Sequence, residues 1–195
     1  NSVEEAWNNA INGVSGAAPI THFDTEKFKT KFACEVKNFN AADYIDAKEA
    51  RKMDLYSQYA IAAAKQAMAD SKMDLEKVNL DRIGVIYGVG IGGLRTFEEE
   101  YGYYERTKEN GPKFNPFFIP KMISDISVGH ISIMFGLRGP NFVTTSACAS
   151  STNALIDAFN YIRLGKADAI IAGGAEAAIT VGGGAGFSAM RAISS

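Results

Sequence analysis

Apolar and polar residues follow one another along the chain in blocks that predict strands and helices in turn. Three stretches are apolar on both faces, as strands covered by helices are, and they span residues 82–89, 141–145 and 167–176. Helical spacing of apolar positions predicts helices over 54–71, 97–109, 121–135 and 150–164, the last with Leu155, Phe159 and Ile162 on one face. This alternation predicts an α/β fold.

The two ends of the chain carry weaker patterns. A short amino-terminal helix is predicted to turn Val3, Trp7, Ala10 and Ile11 inward. Near the other end, the glycines at 182–184 and 186 predict a loop before a last helical turn over 187–193. Because no repeat, low-complexity tract or linker divides the sequence, we predict one domain over residues 1–195.

Residues 141–164 predict a strand, a tight turn and a helix, with Cys148 at the turn. A helix amino terminus offers unpaired N–H groups and partial positive charge, which favour thiolate over thiol and can hold an oxyanion. Small neighbours at 147 and 149–151 leave room for a substrate. A nucleophilic cysteine and a small buried hydrophobic residue are both compatible with this context.

A glycine-rich stretch over 88–93 follows the first predicted strand. A phosphate-binding or dinucleotide loop is one interpretation, but the spacing is G-x-G-x-G-G, with no following Lys-Ser/Thr and no acidic ribose partner. The simpler interpretation is that glycine lets another part of the protein approach the backbone closely.

Composition and charge narrow the functional classes. A net charge of −2 gives no reason to expect a nucleic acid partner. Two cysteines are too few for a disulfide framework and are compatible with a reducing cytoplasm. We see no secretion signal and no run near the roughly 18 apolar residues of a membrane span. We therefore expect a cytoplasmic protein with no membrane contact and no bound metal.

Several long motifs occur in a fixed order along nearly the whole chain. They are H-F-D-T at 22–25, R-K-M-D at 51–54, G-I-G-G at 90–93, N-P-F-F at 115–118, G-H-I-S-I-M-F-G-L-R-G-P at 129–140, A-C-A-S-S at 147–151 and A-G-G-A-E at 172–176. In these motifs the chain resembles the amino-terminal half of the elongating β-ketoacyl-acyl-carrier-protein synthases, and most closely the synthase II group of bacterial fatty-acid synthesis.

The resemblance implies a thiolase-like αβαβα fold, with this chain covering most of the first α/β half without its first strand. The 195 residues would then be a partial amino-terminal domain of a condensing enzyme, inactive in condensation by themselves. Cys148 would accept an acyl chain from the phosphopantetheine arm of acyl-carrier protein, with no bound cofactor. Malonyl-carrier protein would lose carbon dioxide and attack the acyl-cysteine, giving a β-ketoacyl product.

The family's two catalytic histidines belong to its second half. Neither histidine of this chain lies in a family catalytic motif: we expect His130 to be packed against apolar residues and His22 to lie in a surface turn. One oxyanion donor would be the N–H of Cys148.

Further site residues follow from the same resemblance. Ile91 and Phe187 would line the acyl pocket, and Phe118 would reach the pocket of the other subunit of a homodimer. The strand at 141–145 would lie at the sheet edge where two subunits meet, with residues 115–145 in the interface. The proposed basic patch for the acidic carrier protein comprises Lys48, Arg51, Lys52 and Arg191, and less securely Lys113. Core packing for the apolar residues and a solvated face for the basic ones remain the alternatives.

Three other functions stay open: a polyketide-type ketosynthase, a thiolase-type acyltransferase acting on coenzyme A thioesters, and a non-catalytic partner of the chain-length-factor kind. Cys148 argues against the last, because such partners lack the cysteine. The basic cluster and A-C-A-S-S favour carrier protein over coenzyme A. This half of the family carries no signal for acyl chain length.

Overall fold

The computed structural model describes residues 2–194. Its α-helices are α1 Val3–Ile11, α2 Ala47–Ala50, α3 Leu55–Ser71, α4 Leu94–Thr107, α5 Phe118–Met122, α6 Ile126–Phe135, α7 Ser150–Arg163 and α8 Val181–Ala189. Its strands are β1 Ala18–Pro19, β2 Phe32–Ala33, β3 Ile83–Gly88, β4 Asn141–Thr144 and β5 Ala169–Gly174. Across the described residues, no helix is both long and apolar enough to cross a bilayer.

The chain forms two compact units. The sheet unit comprises residues 41–177, and the small unit comprises residues 1–40 together with 178–195. The predicted α/β core and Cys148 belong to the sheet unit, whereas Phe187 and Arg191 belong to the small unit.

Three parallel strands in the order β4-β3-β5 form the centre of the sheet unit. The register pairs Ile86 of β3 with Phe142 of β4 on one side and with Ala172 of β5 on the other. All six residues of β3 are buried, as expected for a central strand covered on both faces. The three strands predicted from the apolar stretches are confirmed, and so is the α/β fold.

Helices cover both faces of this sheet. On one face, Val85 and Tyr87 of β3 belong to a core with buried residues of α3 and α6, among them Ile61 and Ile131. On the other face, Ile86 packs with Ala154 and Ala158 of α7. The sheet unit is therefore a layered helix–sheet–helix structure.

The buried face of α7 is not the face that its large apolar residues mark. Ala154 and Ala158 are 0% and 5% exposed, whereas Leu155 and Phe159 are 54% and 59% exposed. Small side chains let the helix axis approach the sheet closely. The large residues consequently form an uncovered apolar face in this chain.

One predicted helix is two helices in the structure. The helix predicted over 121–135 is instead α5 and α6, separated at Ile123, whose ψ of 129° is extended. The carbonyl oxygen of Ile123 accepts a hydrogen bond from the Tyr56 hydroxyl at 2.5 Å, so this break is tied to the buried start of α3.

The small unit differs from its prediction at both ends. Glycines 182–184 and 186 lie inside α8 and not in a loop, because Thr180 caps that helix by accepting the N–H of Gly183 at 3.1 Å. In α1, the residues predicted to face inward are exposed, with Val3 at 81% and Trp7 at 66%. Residues 18–33 contribute a short antiparallel pair, β1 with β2, that the sequence pattern did not predict.

Candidate active site

Cys148 lies in a single 3₁₀ turn, Ala147–Ala149, between the end of β4 and the start of α7. Its side chain is exposed. This is the strand–turn–helix arrangement predicted from the sequence. The 14-residue helix α7 begins two residues after the thiol, so its amino-terminal partial positive charge lies next to Cys148.

The turn is sharp because of an unusual backbone conformation at Ala147. Its φ of 51° is in the left-handed region that residues with a Cβ seldom adopt. Ser150, 4% exposed, holds the turn in place. Its hydroxyl donates to the carbonyl oxygen of Ala147 at 2.7 Å and accepts the N–H of Ser146 at 2.9 Å. A side chain on a tight turn held in this way projects away from the sheet, as a nucleophile elbow requires.

Two glycines at the carboxyl ends of β3 and β5 allow α7 to come this close. A Cβ at Gly88 would lie 2.1 Å from the backbone carbon of Ser150. A Cβ at Gly174 would lie 2.0 Å from Oγ of Ser151. No side chain fits at either position, so glycine there is a condition for seating the Cys148 turn on the edge of the sheet.

The glycine-rich loop after β3 binds a carboxylate of this chain. Glu176, which follows β5, accepts the N–H groups of Gly90 at 2.9 Å, Ile91 at 2.7 Å and Gly92 at 3.1 Å. Converging backbone N–H groups of this kind form an anion-binding nest. Glu176 occupies the nest. We therefore prefer the interpretation in which another part of the protein approaches this loop closely to the one in which the loop binds a nucleotide.

The same loop carries Ile91, one of the residues expected in an acyl pocket. Its side chain is 45% exposed. The carbonyl oxygen of Ile91 accepts the Ser124 hydroxyl at 3.4 Å, and the N–H of Gly93 donates to the carbonyl oxygen of Met122 at 3.1 Å. The loop is thus held between Glu176 and the segment that links α5 to α6.

Phe118, expected to reach a second subunit, lies at the start of α5 in a group of stacked rings. Its centroid is 5.0 Å from that of Phe114 and 6.4 Å from that of Phe97. The group also includes Tyr101, stacked on Phe97, and Tyr104, stacked on Phe114, and these two tyrosine rings are tilted by 51° to each other. Within one chain, Phe118 therefore has neighbours along α4 and is half-buried.

Phe187 lies on α8 in the small unit, where it lines an apolar cavity of about 360 Å³. Other residues of the lining include Phe23, Phe28, Phe32, Ile179 and the second cysteine, Cys34. Cys34 is exposed, like Cys148.

The basic residues predicted to meet carrier protein differ in their surroundings. Lys48 on α2 and Arg51 just after it are exposed. Lys52 forms an ion pair with Glu49 at 2.6 Å and lies 5.7 Å from the centroid of the Phe117 ring. Part of its charge is therefore offset by Glu49.

In the small unit, Arg191 follows α8 and is exposed, with a φ of 56°. Lys113 is exposed in the loop before α5.

The model of the family described as beta-ketoacyl synthase, N-terminal domain, matches residues 1–195. The chain belongs to this family. Among curated relatives, 3-oxoacyl-[acyl-carrier-protein] synthase 2 of Staphylococcus aureus is 47% identical over 195 residues, which is 100% of this chain and 48% of that protein. The protein of the same name from Vibrio cholerae is 46% identical, over 100% of this chain and 46% of its own length. The chain therefore spans about half the length of the curated relatives it matches.

Two solved structures of ketosynthases support this family assignment. The ishigamide ketosynthase/chain length factor superposes with a TM-score of 0.90 at 26% identity, covering 100% of this chain and 48% of that one. A beta-ketoacyl synthase from Burkholderia phymatum STM815 gives a TM-score of 0.81 at 25% identity, covering 99% of this chain and 47% of that one. The predicted thiolase-like α/β fold and the predicted family are both confirmed.

The two histidines of this β-ketoacyl synthase domain have different environments. His130 is half-buried on α6, and burial lowers its pKa below the ordinary value, against a smaller opposing effect of the Glu49 charge. His22 is exposed, with Nδ1 at 3.3 Å from the carbonyl oxygen of Ile179 and 3.8 Å from Oε1 of Glu35. Within residues 2–194, no group of three or more His, Cys, Asp or Glu side chains is arranged to hold a metal ion.

Sequence reasoning missed the structural roles of two residues that shape the candidate active site. Ser150 and Glu176 each lie in a motif that carried the resemblance, A-C-A-S-S and A-G-G-A-E. A motif marks such a residue as part of a pattern, but it does not show which groups the residue hydrogen-bonds. The three N–H groups that Glu176 binds are more than 80 residues away in the sequence.

Proposed function

We propose that this β-ketoacyl synthase domain supplies the acyl-accepting cysteine of a 3-oxoacyl-[acyl-carrier-protein] synthase in fatty-acid elongation. The observation that carries the proposal is the exposed Cys148 in the sharp turn at the amino terminus of α7. The 47% identity to curated proteins of that name supports fatty-acid elongation over the polyketide and coenzyme A alternatives.

In the proposed first step, the Cys148 thiolate attacks the thioester carbonyl of an acyl-carrier protein. Negative charge on the carbonyl oxygen is stabilised by the Cys148 N–H and by the amino terminus of α7. The C–S bond to the phosphopantetheine sulfur breaks, that sulfur takes up a proton, and the acyl group stays on Cys148 as a thioester.

In the proposed second step, malonyl-carrier protein loses carbon dioxide, and the resulting carbanion attacks the acyl carbon. A carbon–carbon bond forms, the bond to Cys148 breaks, and the β-ketoacyl product remains on the carrier protein. The phosphopantetheine arm enters as part of the substrate, and we propose no other cofactor. The histidines that assist decarboxylation in the family are not among the residues of this chain.

The proposed acyl pocket includes Ile91, Phe118 and Phe187. All three are large and apolar, and Ile91 and Phe187 are 45% and 37% exposed in this chain. Side chains of this kind bind an alkyl chain by removing its surface from water. The cavity beside Phe187 supports an apolar ligand at that position.

The proposed carrier-protein surface consists of Lys48, Arg51, Lys52 and Arg191. Exposed cations attract an acidic partner and steer its approach. Because Lys52 is paired with Glu49, Arg51 and Lys48 supply the greater part of the unpaired charge near α2.

We further propose that residues 1–195 are a partial amino-terminal domain of a cytoplasmic homodimer. Support for the dimer comes from residues 115–145. There β4 lies at an edge of the described sheet, and Ile119 and Ile133 are 51% and 82% exposed. An apolar surface beside an open sheet edge is typical of a subunit interface.

Acylation of Cys148 tests the function directly. In the full-length protein, incubation with acyl-carrier protein should add one acyl group to the peptide that contains Cys148. The variant Cys148→Ala should lose both this adduct and condensation activity, while Cys34→Ala should keep both. Both cysteines are exposed, so an acyl thioester discriminates between them where a general thiol reagent does not. Condensation that survives Cys148→Ala, or acylation of Cys34 alone, would contradict the proposal.

A further inference from the structure

Glu176 makes three hydrogen bonds to one loop through both of its oxygens. Oε2 accepts the N–H groups of Gly90 and Ile91, at 2.9 and 2.7 Å, and Oε1 accepts that of Gly92 at 3.1 Å. Hydrogen bonds to an ionised carboxylate are stronger than bonds between neutral groups. The carboxylate thus sets the path of three consecutive residues that lie between β3 and α4, outside any strand or helix.

This loop is in turn attached to the segment that leads into the Cys148 turn. The N–H of Val89 donates to the carbonyl oxygen of Thr144 at 3.2 Å, and the Thr145 hydroxyl donates to the carbonyl oxygen of Val89 at 2.9 Å. A Cβ at Gly90 would lie 3.7 Å from the carbonyl oxygen of Ala147 and 2.9 Å from Oε2 of Glu176. One side of Gly90 therefore faces the carboxylate and the residue before Cys148.

We infer that Glu176 is a positioning residue for acyl transfer to Cys148. It fixes the 90–92 loop beside the nucleophile turn and thereby sets where Ile91 contacts the acyl chain. The inference rests on the proposed function. A displacement of this loop by about 1 Å is enough to lower the rate of a reaction that depends on positioning by on the order of 100-fold.

The isosteric change Glu176→Gln is the sharpest test. An amide keeps one oxygen acceptor but turns an NH₂ donor toward a backbone N–H, so at least one of the three bonds is lost. In the full-length protein, the rate of Cys148 acylation at saturating acyl-carrier protein should fall about 10- to 100-fold. KM should change by less than about threefold, because carrier protein is bound elsewhere.

Two readouts separate positioning from general stability. The rate loss should be larger for a long acyl chain than for an acetyl group, since only the long chain passes Ile91. Backbone amides of residues 88–93 should exchange faster with solvent in the Gln variant. Glu176→Asp, which keeps the charge on a shorter side chain, should recover part of the rate. The matched control is Asp74→Asn, which changes an exposed carboxylate that accepts the N–H of Glu76 at 3.1 Å, and it should leave acylation unchanged.

Each result decides the inference. Wild-type rates in Glu176→Gln for all chain lengths overturn it while the proposed function stands. An equal loss for all chain lengths, accompanied by a lower unfolding temperature, also overturns it, because the role is then structural. If the Gln variant does not fold, the chain-length profile of Glu176→Asp decides in its place. A wild-type protein that forms no acyl-cysteine overturns both proposals.

Discussion

At the scale of single residues, the environment of each ionisable side chain decides whether it holds the structure together or presents its charge to solvent. Glu176 has a structural role because three backbone N–H groups donate hydrogen bonds to it. Lys52 is partly neutralised by Glu49, whereas Arg51 is exposed to solvent, where we propose that it contacts acyl-carrier protein. Burial lowers the pKa of His130, because the charged imidazolium loses contact with water.

Charge reversal at Arg51 should weaken the interaction with acyl-carrier protein. For Arg51→Glu in the full-length protein, we expect KM for acyl-carrier protein to rise about tenfold at low salt and much less at high salt, where the charges are screened. Lys52→Glu should have a smaller effect, because Lys52 is already paired with Glu49. Steady-state kinetics at two salt concentrations measure both.

The control for this prediction is Lys77→Glu, the same charge change at an exposed lysine that pairs with Asp74 at 2.8 Å. It should leave KM unchanged. An equal loss of activity toward a small thioester in Arg51→Glu would show a folding defect and contradict the docking role.

Protonation of His130 should make the protein less stable at low pH. Burial lowers the pKa in the folded state below the unfolded value of about 6.5. The unfolded chain then binds more protons as pH falls, so the contribution of neutral His130 to stability is complete above that value and is lost below it.

Replacing the histidine tests this linkage. Between pH 7.5 and 5.0, the free energy of unfolding should fall less steeply in His130→Gln than in the wild type. His22→Gln, at an exposed histidine, is the control. Chemical denaturation across the pH range gives the slopes, and parallel curves for His130→Gln and the wild type would refute the prediction.

At the scale of elements, the close packing of α7 against the sheet depends on the absence of side chains at the ends of two strands. The first turn of α7 lies so near Gly88 and Gly174 that even a methyl group would meet backbone or a side chain at 2.0–2.1 Å. This close approach brings the Cys148 turn to the carboxyl edge of parallel strands, where ligands of open α/β sheets bind.

An alanine at Gly88 should therefore be severely destabilising. We expect Gly88→Ala to lower the free energy of unfolding by more than about 3 kcal/mol, since a backbone clash requires the helix to move. The matched control is Gly102→Ala in α4, where a Cβ would meet only the flexible end of Arg106 at 3.3 Å. Alanine there should be neutral or stabilise by up to about 1 kcal/mol. Thermal unfolding of both variants measures the contrast; similar values would contradict the account.

At the scale of the whole molecule, the main feature is the amount of apolar surface that this chain leaves uncovered. Phe159 of α7 and Ile133 of α6 are 59% and 82% exposed, and β4 is an edge strand. Large exposed apolar surfaces mark interaction sites. They are consistent with a chain that spans about half the length of its curated relatives.

The full-length protein should be a homodimer whose interface includes residues 115–145. Light scattering at micromolar concentration should give twice the mass of one chain. Ile133→Glu should shift the protein toward monomer, because a charge in an apolar interface is costly to bury. Glu4→Lys, a charge change on exposed α1, is the control. An active monomer at micromolar concentration would contradict the prediction.

The sequence alone determined the three strands of the main sheet and the place of the candidate nucleophile. Strands β3, β4 and β5 were predictable because both of their faces are apolar, and the Cys148 turn because small residues separate a strand pattern from a helical one. These patterns are local, because each can be recognised within about 10 to 20 consecutive residues.

The tertiary structure decided which faces are buried and what the polar residues bind. The periodicity of α7 predicts that Leu155 and Phe159 are buried. Instead Ala154 and Ala158 face the sheet, because the short distance between helix and sheet favours small side chains. The glycines at 182–184 and 186 predict a loop, yet the Thr180 cap lets them continue as α8. Glu176 meets the 90–92 loop only because β3 and β5 are neighbours in the sheet. The buried face of α7 and the partners of Glu176 depend on contacts between distant segments, which no local pattern contains. The Thr180 cap is a local contact with Gly183 that the glycine pattern did not reveal.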